Sequence, residues 1–244
     1  MAKKVISLND LPVVGKNNMV NRDSELYSSG AVLLMDKPLD WTSFDVVNYV
    51  RNRIPPKKVG HAGTLDPLAT GLLILCTGKA TKSISQIQEL DKTYEAKIKF
   101  GASTPSYDSE AEPDKTAEWR HITPEMISDI LDKKFTGQID QVPPVYSAIK
   151  VKGERMYKLA RRGEEVVLEP RKITIYDINI LDVSLPDVTI RVRCGKGTYI
   201  RSLAHDLGME LGSRAHLSGL RRTETGHFNV KDAVTPEEFN QFPN

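Results

Sequence analysis

Two cysteines in 244 residues, five scattered histidines and no apolar run approaching the roughly 18 residues of a membrane span exclude several classes before any motif is read. Cys76 and Cys194 stand far apart, each inside an apolar, strand-like stretch with no CxxC and no histidine cluster nearby. They read as buried free thiols, not as a disulfide or a zinc site. His61, His121, His205, His216 and His227 are too dispersed to nominate a metal centre. Behind the N-terminal lysines there is no apolar signal core, so the cytoplasm is the expected compartment and no membrane contact is expected. The GxxxxGK[ST] of a phosphate loop and the GxGxxG of a dinucleotide fold are both missing, and no cofactor is expected. A net charge of +2 does not by itself announce a nucleic-acid partner.

What is present reads as a soluble globular chain, 39% hydrophobic and 27% charged, long enough to bury an ordinary core. Residues 1–30, rich in Asn, Ser and Asp and without a clear period, are expected to form an extended or flexible arm. Order is expected from Ala31 to Met35, a short buried strand. Thr42 to Asp45 carries a capping-box pattern, followed by Phe44, Val47, Val50 and Ile54 at helical spacing. After the apolar strand 72–76 comes a helix marked by Ala80, Ile84, Ile87 and Leu90. From Thr93 to Phe100 the chain alternates, with Tyr94, Ala96, Ile98 and Phe100 on one face and Glu95, Lys97 and Lys99 on the other, as a half-buried strand should.

Thr123-Pro124 opens a helix through Phe135, residues 141–149 are extended, and a short basic helix is expected around 154–162, ending at Gly163. Strands return at 172–181 and 187–194, the first switching its apolar face between Ile175 and Ile178 as a bulge would require. A helix follows Gly195-Lys196-Gly197, then a strand and turn from Leu217 to Val230, and a small helix after Thr235-Pro236. Hairpin-like strand pairs mixed with separated helices point to an α+β fold.

Two features ask for a functional reading. Basic residues gather between Lys150 and Lys172, while acidic ones gather at Asp108, Glu110, Glu112 and Asp114; such a field suits a polyanion, although most charge runs are solvated surface. Asp66 sits among glycines and a proline, immediately before the oily strand 72–76, where a partly buried carboxylate costs free energy unless paired. On these residues alone, Asp66 reads equally well as a turn cap or as a reactive group.

Residues 60–73, GHAGTLDPLATGLL, resemble the signature loop of the TruB-type pseudouridine synthases, which make pseudouridine 55 in the T arm of tRNA. The resemblance continues in order along the chain. Asp36-Lys37-Pro38 through Thr42-Ser43 is similar to the family's KPxGxTS element, Asp91-Lys92-Thr93-Tyr94 to its D-K-x-Y strand, and residues 143–150 to its PPxYSAxK segment. Residues 194–203 are similar to C-x-KGTYIRxL, and Leu220-Arg221-Arg222-Thr223 to the closing LRRT.

The resemblance implies a pseudouridine synthase fold, a curved and mainly antiparallel sheet with flanking helices, spanning residues 31–230 with an RNA-binding insertion at about 141–172. It implies Asp66 as catalytic nucleophile or base, Arg201 as its charge partner, and Tyr94 stacking on the target base and helping to remove the carbon-5 proton. His61, Lys37, Tyr199 and Leu220 would line the site of a flipped-out uridine, Asp108 would contact a nearby nucleotide, and Lys150 would meet RNA phosphates. The partner implied is the T arm of tRNA, bound by a monomer without cofactor, metal or obligatory protein partner. Asp40 and Ala111 stand where the family often has Gly, which puts local turn geometry in question. The chain ends about where many members begin an extra C-terminal RNA-binding domain, so residues 231–244 are expected to be only a short helix or tail. Two rival readings are an RNA-folding module with little catalysis and a synthase acting on another RNA.

Overall fold

The computed structural model describes residues 7–22, 24–55, 58–147, 150–151, 154–156, 162 and 168–243. The chain forms two compact units, Met1–Tyr94 with Leu220–Asn244, and Glu95–Gly219. Strands and helices mix in both, and among the described residues strand pairing is mainly antiparallel, with parallel pairing at Val13–Val14 and at Leu220–Arg222. Among the described residues no helix is long and apolar enough to cross a membrane.

In the first unit the strand Ala69–Thr77 is the spine. The strand Val32–Lys37 runs antiparallel along one edge, from Val32 opposite Cys76 to Lys37 opposite Gly71. The strand Val59–His61 pairs with residues 75–77, and Leu220–Arg222 pairs in parallel with residues 69–71. Continuous apolarity over residues 72–76 reflects burial on both faces. Leu73 and Leu75 join Leu33, Met35, Val46, Val47, Val50, Leu65 and Ala69, whereas Leu72, Ile74 and Cys76 join Val32, Leu34, Ala62, Ala80 and Ile87. The helix Ser43–Arg51 starts at the expected capping box, Thr42 accepting from the Asp45 amide and Asp45 from the Thr42 amide. Its buried face is Ser43, Val46, Val47 and Val50; Phe44, expected on that face, is exposed.

The expected flexible arm is corrected over its described part. Val13–Val14 pairs in parallel with Val32–Leu33, a helix spans Glu25–Ser29, and Val14 and Tyr27 are fully buried. These pieces are too short to show a period, so only their packing reveals them. Residues 1–6 lie outside the described residues. The small helix Pro236–Asn240 is present with its own capping box, and Phe239 and Phe242 join the core that holds Val14 and Tyr27.

In the second unit the sheet order is residues 95–100 of the strand Lys92–Phe100, then Asp187–Cys194, Arg171–Ser184 and Gly137–Gln141, with Arg171–Ser184 antiparallel to the strand on either side of it. The expected bulge is there, a register shift between Ile175 and Asp177, and a second falls between Ile180 and Asp182. The helix Pro124–Lys134 begins at Thr123 with Pro at its first position, and packs with the helix Ile200–Glu210, which buries Ile200, Leu203, Ala204 and Leu207. Glu154–Arg155 forms a short antiparallel pair with Lys150–Val151, so the expected helix does not begin at 154, and residues 157–161 lie outside the described residues.

On that second helix burial, and Glu210 one turn away, push the Asp206 carboxyl from 3.8 up to about 6. Folding therefore favours the protonated acid. Its stabilising contribution is complete below about pH 3.8 and is lost as pH rises through about 6, because the unfolded chain ionises first. Asp206→Asn should be nearly silent in urea melts near pH 4 and should stabilise the protein at neutral pH by about 1–2 kcal/mol. A variant no more stable than wild type at neutral pH would count against this burial cost.

Candidate active site

Asp66 is half-buried at the start of a tight turn, its carbonyl accepting from the Ala69 amide at 3.0 Å with Pro67 at the turn's second position. The backbone on either side is held from several directions. The Ser43 hydroxyl, buried in the first turn of its helix, accepts from the Leu65 amide at 2.8 Å and donates to the Leu65 carbonyl at 3.1 Å. The Pro67 carbonyl accepts from the Asp40 amide at 3.0 Å and from the Lys37 ammonium at 3.2 Å. Asp40 has φ 64°, the left-handed conformation that Gly takes freely and Asp tolerates, so its substitution for Gly preserves the turn. Ala111 shows no such requirement.

Lys37, expected to line the uridine site, is held by the backbone around it. It is fully buried, and its ammonium donates to the Pro38, Trp41 and Pro67 carbonyls at 2.8, 2.5 and 3.2 Å. Three donors meet three backbone acceptors. Burial pushes its pKa down to about 8, and Asp66, Asp40 and Asp45 oppose that shift. Lys37 thus ties the 37–41 turn to the Asp66 loop.

Arg222 carries a role that reading residue by residue did not assign. It is 1% exposed, its Nε donating to the Leu72 carbonyl at 2.7 Å and its Nη2 to the Gly63 carbonyl at 3.2 Å. The guanidinium therefore bridges the chain three residues before Asp66 and six after it. Gly71 lies against it with φ 102°, where a Cβ would come within 2.3 Å of the Arg222 carbonyl oxygen. The neighbouring Arg221 grips Asp36 with both terminal nitrogens, at 3.0 and 2.6 Å. The only forward signal was the pair of arginines in the LRRT element.

The other expected residues of this unit surround the same loop. Tyr94 and Leu220 are half-buried and pack against the cluster that contains Leu65 and Ala69. His61 ends the strand paired with Leu75 and is half-buried. Burial, with the Arg222 charge, holds its imidazole below the usual pKa, so the ring is neutral at neutral pH.

In the second unit Arg201 opens the helix Ile200–Glu210 and is 5% exposed. Its guanidinium donates to the Ser106 carbonyl at 3.2 Å and the Tyr146 carbonyl at 3.1 Å, and Nη1 lies 3.5 Å from Asp108 Oδ2. Asp108, expected to touch RNA, is 4% exposed, with Oδ1 accepting from the Ser106 hydroxyl at 2.6 Å and the Glu110 amide at 3.0 Å. Its carboxylate is committed to shaping its own loop and to Arg201. Tyr199 is half-buried just before the helix, its backbone clamped both ways by the Gln141 amide at 2.8 and 3.0 Å, and Ser202 donates to the Val142 carbonyl at 2.7 Å. The first turn of this helix therefore fixes residues 141–146. Lys150 lies in the short strand pair beyond them.

Comparisons with known proteins agree over most of the chain. Residues 51–200 match the family model described as "TruB family pseudouridylate synthase (N terminal domain)", and residues 201–243 match "tRNA pseudouridylate synthase B C-terminal domain". A tRNA pseudouridine synthase B of Phocaeicola vulgatus is 51% identical over 87% of this chain and 93% of its own length. One from Flavobacterium johnsoniae is 51% identical over 86% and 94%. Among solved structures, a chain of a Cbf5–Nop10–Gar1 complex superposes with a TM-score of 0.66 at 30% identity, over 86% of this chain and 53% of that one. A chain of an H/ACA RNP bound to a substrate RNA containing 2′-deoxyuridine gives 0.64 at 28%, over 87% and 53%, so this chain spans about half the length of both.

Proposed function

The chain belongs to the TruB family of pseudouridylate synthases, and from that premise we propose that it isomerises uridine 55 in the T arm of tRNA to pseudouridine, with Asp66 starting the reaction. The observation that carries the assignment of Asp66 is the immobilised backbone around it: Ser43 on Leu65, Lys37 on Pro67, and Arg222 on Gly63 and Leu72. Such a frame holds one carboxylate in one place, which a nucleophile or base acting on a bound sugar needs and a simple turn cap does not.

The reaction is an isomerisation and consumes nothing. The bond from uracil N1 to carbon 1′ breaks, the base turns over in its pocket, carbon 5 bonds to carbon 1′, the carbon-5 proton leaves and N1 gains one. Asp66 acts as nucleophile or base at the first step. Tyr94 supports the base and takes part in removing the carbon-5 proton, and Arg201 completes the proposed catalytic set. Water must stay out while the base is detached, because hydrolysis would leave an abasic site. The apolar wall of Leu220 and the neutral His61 suit that need. A uridine inside a folded T arm must first be extruded, at a cost of about a few kcal/mol that RNA contacts offset. Tyr199 and Lys150 are proposed among those contacts, in a cytoplasmic enzyme acting as a monomer.

The test is tritium release from tRNA transcripts labelled at carbon 5 of uridine. Tritium equivalent to one uridine carbon-5 position should be released per tRNA, and none once uridine 55 is replaced by cytidine. Undiminished release from the cytidine transcript would overturn the choice of substrate.

A further inference from the structure

A second pair of side chains in the Glu95–Gly219 unit stands beside Arg201 without being part of any motif above. Tyr107 and His205 stack face to face, ring centroids 3.9 Å apart and planes 16° apart. His205 lies four residues after Arg201 on the same helix, so the two occupy one face in successive turns. Tyr107 lies between Ser106 and Asp108, the two residues of its loop that engage Arg201.

Tyr107 has φ 63°, a left-handed conformation that bulky residues rarely adopt. It falls between a carbonyl and a carboxylate that both meet one guanidinium, Ser106 O at 3.2 Å and Asp108 Oδ2 at 3.5 Å. The loop is also held by its backbone, the Tyr107 amide donating to the Thr104 carbonyl at 3.1 Å and the Leu217 amide donating to the Tyr107 carbonyl at 2.9 Å, and by hydroxyls, Thr104 donating to the Asp108 carbonyl at 2.6 Å and Ser106 to the Asp108 carboxylate at 2.6 Å. Beside the contacts of Arg201 with Ser106 and Asp108, the ring is a second tie of this loop to the helix that carries Arg201, one that does not use the guanidinium itself. Burial, with the Arg214 charge, holds the His205 imidazole below its usual pKa, so it stacks as a neutral ring that does not repel the guanidinium.

We infer that Tyr107 and His205 are positioning residues for Arg201: their stack holds the strained turn of the 104–110 loop so that the Ser106 carbonyl and the Asp108 carboxylate fix the direction of the guanidinium. The inference rests on the reading of Arg201 as catalytic. Its test is single-turnover and steady-state tritium release by Tyr107→Gly, His205→Ala, His205→Phe and Arg201→Lys, with thermal unfolding of each. Tyr107→Gly removes the ring while keeping a backbone free to adopt positive φ, and it leaves the helix untouched should His205→Ala unfold.

Tyr107→Gly and His205→Ala should each lower kcat about tenfold with KM for tRNA changed less than about twofold, because the loss lies in the transition state and not in RNA binding. His205→Phe, which restores a flat ring, should recover to within about threefold of wild type. Unchanged kcat in Tyr107→Gly and His205→Ala, or a His205→Phe variant no better than His205→Ala, would overturn the inference. If those variants are silent while Arg201→Lys is inactive, the positioning role falls and the reading of Arg201 stands. If Arg201→Lys keeps full kcat, the reading of Arg201 itself falls and takes the inference with it.

Discussion

Asp66→Asn is expected to lower single-turnover tritium release from tRNA by about three orders of magnitude or more, while tRNA affinity stays within a few fold of wild type. The amide matches the carboxylate in size but can neither attack a sugar carbon nor take a proton. The hydrogen bonds that frame the loop use its backbone: Leu65 with Ser43, the Asp66 carbonyl with Ala69, Pro67 with Lys37 and Asp40. None of these changes when the side-chain oxygen becomes nitrogen. The melting temperature should therefore move little, and the variant should be a folded, RNA-binding, inactive protein. Retention of more than about a tenth of the activity would remove Asp66 from the chemistry.

What could be read in advance follows the range of the interaction responsible. Alternation from Tyr94 to Phe100, the capping box at Thr42, the Pro-opened helix at Pro124 and the bulge after Ile175 are each written within a few neighbouring residues, and each is found. Asp66 itself was visible as an ill-placed charge, and the motif resemblance resolved its two readings. Lys37 and Asp108 have structural partners that the sequence did not show, for a common reason. A lysine or aspartate inside a binding motif looks like a ligand contact, and only the fold shows that its polar atoms are taken up by backbone carbonyls, by Ser106 and Glu110, and by Arg201. Phe44 has helical spacing with Val47 and Val50, yet the core meets Ser43 and Val46 instead, because the face a helix buries depends on what packs on it. Arg222 was beyond local reading altogether, its partners lying 150 and 159 residues away in sequence.

That distance makes Arg222 the most consequential substitution outside the reacting residues. Arg222→Met keeps most of the buried volume but strips the Leu72 and Gly63 carbonyls of the donors the guanidinium supplies. A buried acceptor left unsatisfied costs about 1–3 kcal/mol, so the pair implies a loss of about 2–5 kcal/mol. For a protein of this size that lowers the melting temperature by about 5–15 °C and consumes a large part of an ordinary margin of stability. Arg222→Lys should recover only part of the loss, because one ammonium does not reproduce a planar fork aimed at two carbonyls. The adjacent Arg221→Ala provides the contrast. Its partner Asp36 and the arginine itself are partly exposed, at 21% and 39%, and removing that pair should cost about 1 kcal/mol or less. Activity separates stability from positioning. Measured well below the melting point, Arg222→Met should still turn over at least about tenfold more slowly than wild type, because the loop that fixes Asp66 has lost the tie spanning both its sides. Urea melts placing Arg222→Met within 1 kcal/mol of Arg221→Ala, or full turnover in the folded variant, would mean that Lys37 and Ser43 suffice to hold the catalytic loop and that the buried guanidinium only fills space.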